Sequence, residues 1–289
     1  MDIEREYEKL GLENYFIFGE VFKDEERCKK LLEMILQVKI KRINYIQKEK
    51  VYDNFVDAKS IRIDVYVDDE EGTVYDIEMQ TNNTFELPLR SRYYQSMFDI
   101  DLLSKGKSYR NLKKGFVIFI CTFDPFGDNR YMYTFESRCR ENNDIVLGDN
   151  VYKIFLNTKG LKGKVSKELK NFLSYIETRN VNDEFTKDID EEVRNLRNDK
   201  EARLRYMSLQ LYIDDERYLG RQEGERIGLQ KGEQIERISL IRKQLNKGKD
   251  IAFIVDIMEI DTEFVESVAK LIKDNPDMND SDIMEMMDV

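Results

Sequence analysis

Asp64 and Glu78 are residues whose types and spacing in this 289-residue chain point to chemistry. They lie in a stretch that reads Arg62-Ile63-Asp64-Val65-Tyr66-Val67, an acidic turn from Asp68 to Gly72, then Thr73-Val74-Tyr75-Asp76-Ile77-Glu78-Met79-Gln80. Each half alternates with period two, the pattern of a strand with one face buried. Ile61, Ile63, Val65 and Val67 share one face of the first strand, and Arg62, Asp64 and Tyr66 share the other. In the second strand Tyr75, Ile77 and Met79 form the apolar face, while Asp76, Glu78 and Gln80 point the opposite way. Pairing Asp68 with Val74 across the turn sets Tyr66 against Asp76 and Asp64 against Glu78. Residues directly opposite on one face have Cβ atoms roughly 5 Å apart, and like charges that close repel. A divalent cation between the two carboxylates removes that penalty, and Gln80 is placed to hold a water on it. Oxygen ligands of this kind suit Mg²⁺ or Mn²⁺.

Composition narrows the alternatives. The chain contains no histidine, which excludes Ser-His-Asp and Cys-His catalysis, histidine-ligated zinc and any histidine general base. Carboxylate, lysine, tyrosine and water remain, so carboxylate-bound magnesium is the chemistry the composition permits most readily. The three cysteines, Cys28, Cys121 and Cys139, are odd in number and show no close pairing, as expected of buried thiols in a reduced cytoplasm. No run of 18 or more apolar residues exists, and the first residues have neither a basic nor an apolar leader segment, so neither a membrane span nor a secretory signal is expected. The net charge of −11 weighs mildly against a nucleic-acid partner, although distribution matters more than the sum. Basic residues do concentrate locally, at Lys39, Lys41 and Arg42, at Arg90 and Arg92, and between Lys105 and Lys114.

The elements that must position the acids follow from the flanking sequence. A short helix is expected in residues 1–15, and Asp24 reads as the N-cap of a helix reaching about Leu36. A strand is expected over 38–48, around Ile40, Ile43, Tyr45 and Ile46. Pro88 opens the next helix, which runs to about Leu103. Phe116–Cys121 is apolar without alternation, as a strand covered on both faces should be. Tyr131–Phe135 and Val151–Leu156 complete the sheet, and a helix spans Lys167–Ile176. The polar segment Arg179–Asp183 marks the end of a domain covering 1–180. Residues 181–289 read as an all-helical region for oligomerisation or interaction. Within it Gly220, Gly224, Gly228 and Gly232 recur every four residues, either for a close helix–helix approach or as a flexible linker. A helix–turn–helix-sized unit follows, but its second helix carries Glu263 and Glu266 and is a poor reader of a DNA groove. Residues 274–289 are acidic and Met-rich, and are expected to be mobile.

Asp64 on one strand with Glu78-x-Gln80 on the next resembles the PD-(D/E)XK nuclease core, in the form where Gln replaces the usual Lys. Four blocks in order sharpen the match: Arg62–Val67, Asp76–Thr81, Leu89–Met97 and Val117–Asp124. Together they resemble the Rpn family of recombination-promoting nucleases, also described as PD-(D/E)XK nuclease family transposases. The resemblance covers roughly residues 10–180 closely. It implies an α/β fold with a restriction-endonuclease-like core, a mixed central sheet flanked by helices. It also implies a metal-dependent DNA endonuclease tied to recombination or mobile elements, with Asp64, Glu78 and the Met79 carbonyl on Mg²⁺ or Mn²⁺ and Gln80 orienting the attacking water. In many nucleases of this fold the helix after the metal-binding strands touches DNA, which points to Arg90, Tyr94 and Gln95; Arg90 either holds the scissile phosphate or pairs with a nearby carboxylate. First helices of the fold sometimes lend the metal a glutamate, which makes Glu20 and Glu33 auxiliary candidates. DNA is the expected partner, with a homodimer and no membrane or small-molecule cofactor. Two rivals stand beside this reading: a non-catalytic DNA-binding or transposition accessory protein in which Gln80 marks decay, and an oligomeric interaction protein whose Asp64–Glu78 pair is a solvated hairpin.

Overall fold

The structure, a computed structural model, describes residues 3–52, 61–103 and 105–287. Ile61 and Ile63, assigned above to the apolar face of their strand, and Arg62 beside them have side chains outside the described set. The chain divides into two compact units, Met1–Ser208 and Leu209–Val289.

The first unit opens with α1 (Ile3–Tyr7), α2 (Tyr15–Phe22) and α3 (Glu25–Leu36). Asp24 caps α3 as its sequence predicts, its Oδ1 accepting the Arg27 N–H at 2.9 Å. Gln37 ends the helix in the left-handed region, with φ of 55°. The first strand starts later than expected: β1 spans Ile43–Tyr52, not 38–48. Ile40 is buried, but its N–H donates to Glu33 Oε1 at 3.0 Å. A side chain of α3 thus claims the backbone donor that a ladder would need, and pairing begins three residues on.

The strands β2 (Ile61–Asp69) and β3 (Val74–Gln80) form the antiparallel hairpin, with Asp68 against Val74 and Tyr66 against Asp76. Continuing that register places Asp64 opposite Glu78. The turn is built on Asp69, whose Oδ1 accepts the N–H groups of Glu71 and Thr73, both at 2.9 Å, and whose Oδ2 accepts the Tyr75 hydroxyl at 2.7 Å. Gly72 takes φ of +75° there, a backbone conformation that L side chains rarely adopt.

Next come α4 (Leu87–Leu102), β4 (Gly115–Cys121), β5 (Met132–Phe135), β6 (Val151–Asn157), α5 (Lys167–Thr178) and α6 (Glu184–Asn198). Among the described residues six strands make one mixed sheet in the order β1-β2-β3-β4-β6-β5, with β3, β4 and β6 parallel and the other neighbours antiparallel. Every position of β4 is buried, as its unalternating run implies. The parallel register sets Glu78 beside Phe119 and Phe119 beside Phe155. Over this face lies α4, whose Tyr94, Met97 and Phe98 pack with Tyr66, Val117, Phe119, Cys121 and Phe155. By alternation it is also the face of Asp64, Asp76 and Glu78. The polar side of the hairpin is therefore covered by a helix.

Residues 181–208 belong by packing to the first unit. Helix α6 packs on α2 and α5, and the Tyr7 hydroxyl donates to the Leu196 carbonyl at 2.7 Å. Helix α7 (Lys200–Asn246) crosses the division between the units. In the second unit its last turns, with α8 (Ile251–Met258), α9 (Thr262–Asp274) and α10 (Asp280–Met287), bury Ile238, Ile241, Ile254, Val265, Val268, Ile283 and Met284. The expected mobile tail is thus largely helical, because Ile283 and Met284 supply an apolar pair that packs. The four spaced glycines continue α7 without a break, and a Cβ added at any of them meets nothing within 4 Å among the described residues.

Candidate active site

Antiparallel pairing brings Asp64 and Glu78 together at the C-terminal end of β3, and hydrogen bonds interlock them. The Asp64 N–H donates to Glu78 Oε1 at 3.0 Å, and the Met79 N–H donates to Asp64 Oδ2 at 2.9 Å. Each acid therefore orients through the other strand's backbone. Both are nearly buried, Asp64 at 8% and Glu78 at 3% exposure. Met79, expected to contribute its carbonyl, meets Asp64 through its N–H.

A family model described as PD-(D/E)XK nuclease family transposase matches residues 15–219, well over half of the chain. The chain belongs to this family. Searches of curated proteins and of solved structures find no match. The mixed sheet flanked by helices, with a helical C-terminal region, fits a PD-(D/E)XK transposase, and membership places the chain in a nuclease, mobile-element class. Among the described residues no helix is long and apolar enough to cross a membrane.

Among the described residues, α4 brings a positive charge to the acids. Arg90 Nη2 lies 3.2 Å from Glu78 Oε2, and Nη1 donates to Gln80 Oε1 at 2.8 Å. Nη2 and Nε also reach the Tyr94 hydroxyl, at 2.8 and 3.3 Å. The guanidinium carbon is 5.4 Å from the centre of the Phe119 ring, within range of a cation–π contact. Burial opposes the charge on Arg90, but Tyr94, Glu78 and Asp64 outweigh it and hold its pKa above the usual arginine value. The Tyr94 hydroxyl is pushed well above the usual tyrosine range by burial first and then by the Glu78 charge, so it stays protonated. Gln80 is engaged at both ends, its Nε2 donating to the Asn82 carbonyl at 2.6 Å.

The remaining candidates are placed elsewhere. Gln95 donates to Asp99 at 3.1 Å and packs against Gly115, where an added Cβ would lie 2.8 Å from its Oε1. Gly115 begins β4, four residues before the Phe119 that pairs with Glu78, or about 13 Å along a strand. Glu20 is buried and held by Lys23 at 2.6 Å and Arg205 at 3.4 Å. Glu33 pairs with Lys39 at 3.1 Å as well as holding Ile40. The basic run from Lys105 leads into the Gly115 end of β4, opposite to the acids, where Lys114 sits about 5 Å above the Phe116 and Tyr152 rings.

Asp76 is the residue that reading the sequence passed over. It is fully buried, and neither carboxyl oxygen has a hydrogen-bond partner. Burial first, then repulsion from Glu78 and Asp64, raise its pKa well above the ordinary aspartate value. The signal was present in the alternation that puts Asp76, Glu78 and Gln80 on one face; what was missing was the helix that seals that face. Asp64, Glu78 and Asp76 lie on one face of the hairpin, and carboxylate oxygens are the ligand type that a hard divalent ion takes. Among the described residues no group of three or more histidine, cysteine, aspartate or glutamate side chains could hold a metal ion, so the acids offer the Asp64–Glu78 pair and not a third ligand. Cys121, beside Gln80 in the register, has its thiol pKa pushed up to about 12 by burial, which leaves it inert as a nucleophile.

Proposed function

We propose that this chain is a Mg²⁺- or Mn²⁺-dependent endodeoxyribonuclease that hydrolyses DNA phosphodiester bonds in recombination or mobile-element movement. The observation that carries this reading is the interlocked Asp64–Glu78 pair, sealed beneath α4 next to the unpartnered Asp76. The carboxylates of Asp64 and Glu78 and the carbonyl of Met79 hold the ion. When bound, the ion lowers the pKa of a water and offsets charge developing on the phosphate. The chain's own residues do the rest. The Met79 and Asp64 N–H groups fix the two carboxylates. Gln80 positions a water by hydrogen bonding alone, since a neutral amide brings no charge. Arg90 supplies that charge, and its fork matches phosphate oxygens, while Tyr94 orients it. Phe119 and α4 exclude solvent from beneath the site. The nuclease domain, residues 1–180, acts in the cytoplasm, and the helical region 181–289 assembles the chain as a homodimer.

One observation favours a second reading, a DNA-binding accessory protein without catalysis: Arg90 and Asn82 already occupy the Gln80 amide. A plasmid assay with purified full-length protein and Mg²⁺ or Mn²⁺ separates the two. Nicking by the wild type that drops at least ~100-fold in both Asp64→Ala and Glu78→Ala is expected for a metal-assisted site. Nicking that survives both substitutions removes these acids from the reaction. Retardation of DNA without nicking supports the accessory reading.

A further inference from the structure

We infer that Arg90 is the resident counter-ion of the Asp64–Glu78 pair and competes with the divalent ion for it, so that metal binding and release of the guanidinium are one linked event. This rests on the metal-site reading above and adds its regulation. The contacts set up the competition directly. Arg90 Nη2 holds Glu78 Oε2 at 3.2 Å, and Nη1 holds Gln80 Oε1 at 2.8 Å. The same two side chains, one as ligand and one as water holder, are required by a hydrated ion. A guanidinium and a divalent ion beside the same carboxylate repel each other strongly where water is scarce. Arg90 also has somewhere to stay: the Tyr94 hydroxyl at 2.8 Å and the faces of Tyr94 and Phe119, both within about 5.4 Å of the guanidinium carbon, hold it after Glu78 is given up.

Release also frees two donors. Nη1 and Nη2, no longer facing Gln80 and Glu78, become available for phosphate oxygens. Linkage then requires that a phosphate group which draws Arg90 away strengthens metal binding, and that metal strengthens phosphate binding by the same factor. Without a phosphate, Arg90 offsets part of the carboxylate charge, and the resting site binds the ion more weakly.

The test is Mn²⁺ binding to the full-length protein without DNA, followed by titration calorimetry and by the electron paramagnetic resonance of free Mn²⁺. Arg90→Met keeps the length of the side chain and removes its charge. It is expected to bind Mn²⁺ about tenfold more tightly than the wild type, the scale of a coupling between adjacent sites. A thermal melt followed by circular dichroism establishes that Arg90→Met is folded, and Arg90→Lys, which keeps the charge, is expected to stay within about threefold of wild type. Glu78→Gln, which removes a ligand, should abolish binding in every background. Equal or weaker Mn²⁺ binding by a folded Arg90→Met, with the wild type binding through Glu78, overturns the competition and leaves the metal site standing. Absence of Glu78-dependent binding in both the wild type and Arg90→Met overturns the metal site, and the competition with it.

Discussion

The two ends of one hairpin treat buried carboxylates in opposite ways. At the turn, Asp69 is 5% exposed and accepts three hydrogen bonds, from Glu71, Thr73 and Tyr75. Seven residues along, Asp76 is fully buried and accepts none, with Glu78 and Asp64 close enough to raise its pKa. A buried charge is tolerated when hydrogen bonds replace its water, and is costly otherwise. The first arrangement builds a turn. The second holds an acid without donors beside two others, a repulsion that the proposed divalent ion would offset. Charge count does not distinguish the ends; the supply of donors does.

Substitutions that reverse this contrast test it. The largest effect is expected for Asp69→Ala, which strands two backbone N–H groups and the Tyr75 hydroxyl. Urea unfolding should show a loss of about 3 kcal/mol, since buried donors without acceptors carry penalties of this order. A loss below about 1 kcal/mol would mean that the turn does not depend on its carboxylate.

Asp76→Asn should act in the other direction. The unfolded chain ionises Asp76 near 3.8, whereas the folded chain keeps the proton to higher pH. The unfolded state therefore loses its proton first, and wild-type stability declines as pH rises from about 4 towards the folded value. The amide does not ionise, so the variant should gain about 1 kcal/mol or more at pH 7, on the scale of one pKa unit. It should gain almost nothing at pH 4. Parallel urea titrations with a chelator present check this, and a variant destabilised at pH 7 would show that the acid is satisfied after all. The smallest change is expected at the turn again. Gly72→Ala forces an L side chain to φ of +75° and should cost about 1 kcal/mol; the Lys113 ammonium, 2.5 Å from the added Cβ, can swing aside.

Much of this site is readable in the residues. Alternation around Asp64 and Glu78 fixes which side of each strand they occupy, and the short turn from Asp69 to Gly72 fixes how the strands align, so their opposition follows from local geometry. Asp24 announces its helix because a cap needs only its own neighbours. Arg90 and Tyr94 stand one helical turn apart and therefore meet the same strand end. Gln95 is adjacent to Tyr94 in sequence but turned about 100° around the helix, and it reaches Gly115 instead. Ile40 alternates well enough for a strand, yet a glutamate seven residues earlier takes its N–H. Local pattern contains no record of such a competitor.

The sequence alone settled what depends on near neighbours: strand faces, the hairpin register and the pairing of Asp64 with Glu78. Only the tertiary structure decided what covers those faces. Parallel pairing of β3 with β4, across more than thirty intervening residues, brings α4 down over the acids and carries Arg90 between Glu78 and Gln80. Burial, and with it the unpartnered state of Asp76, is a property of that distant helix. Periodicity names the side of a strand, but the partner that removes water from it is chosen by the fold.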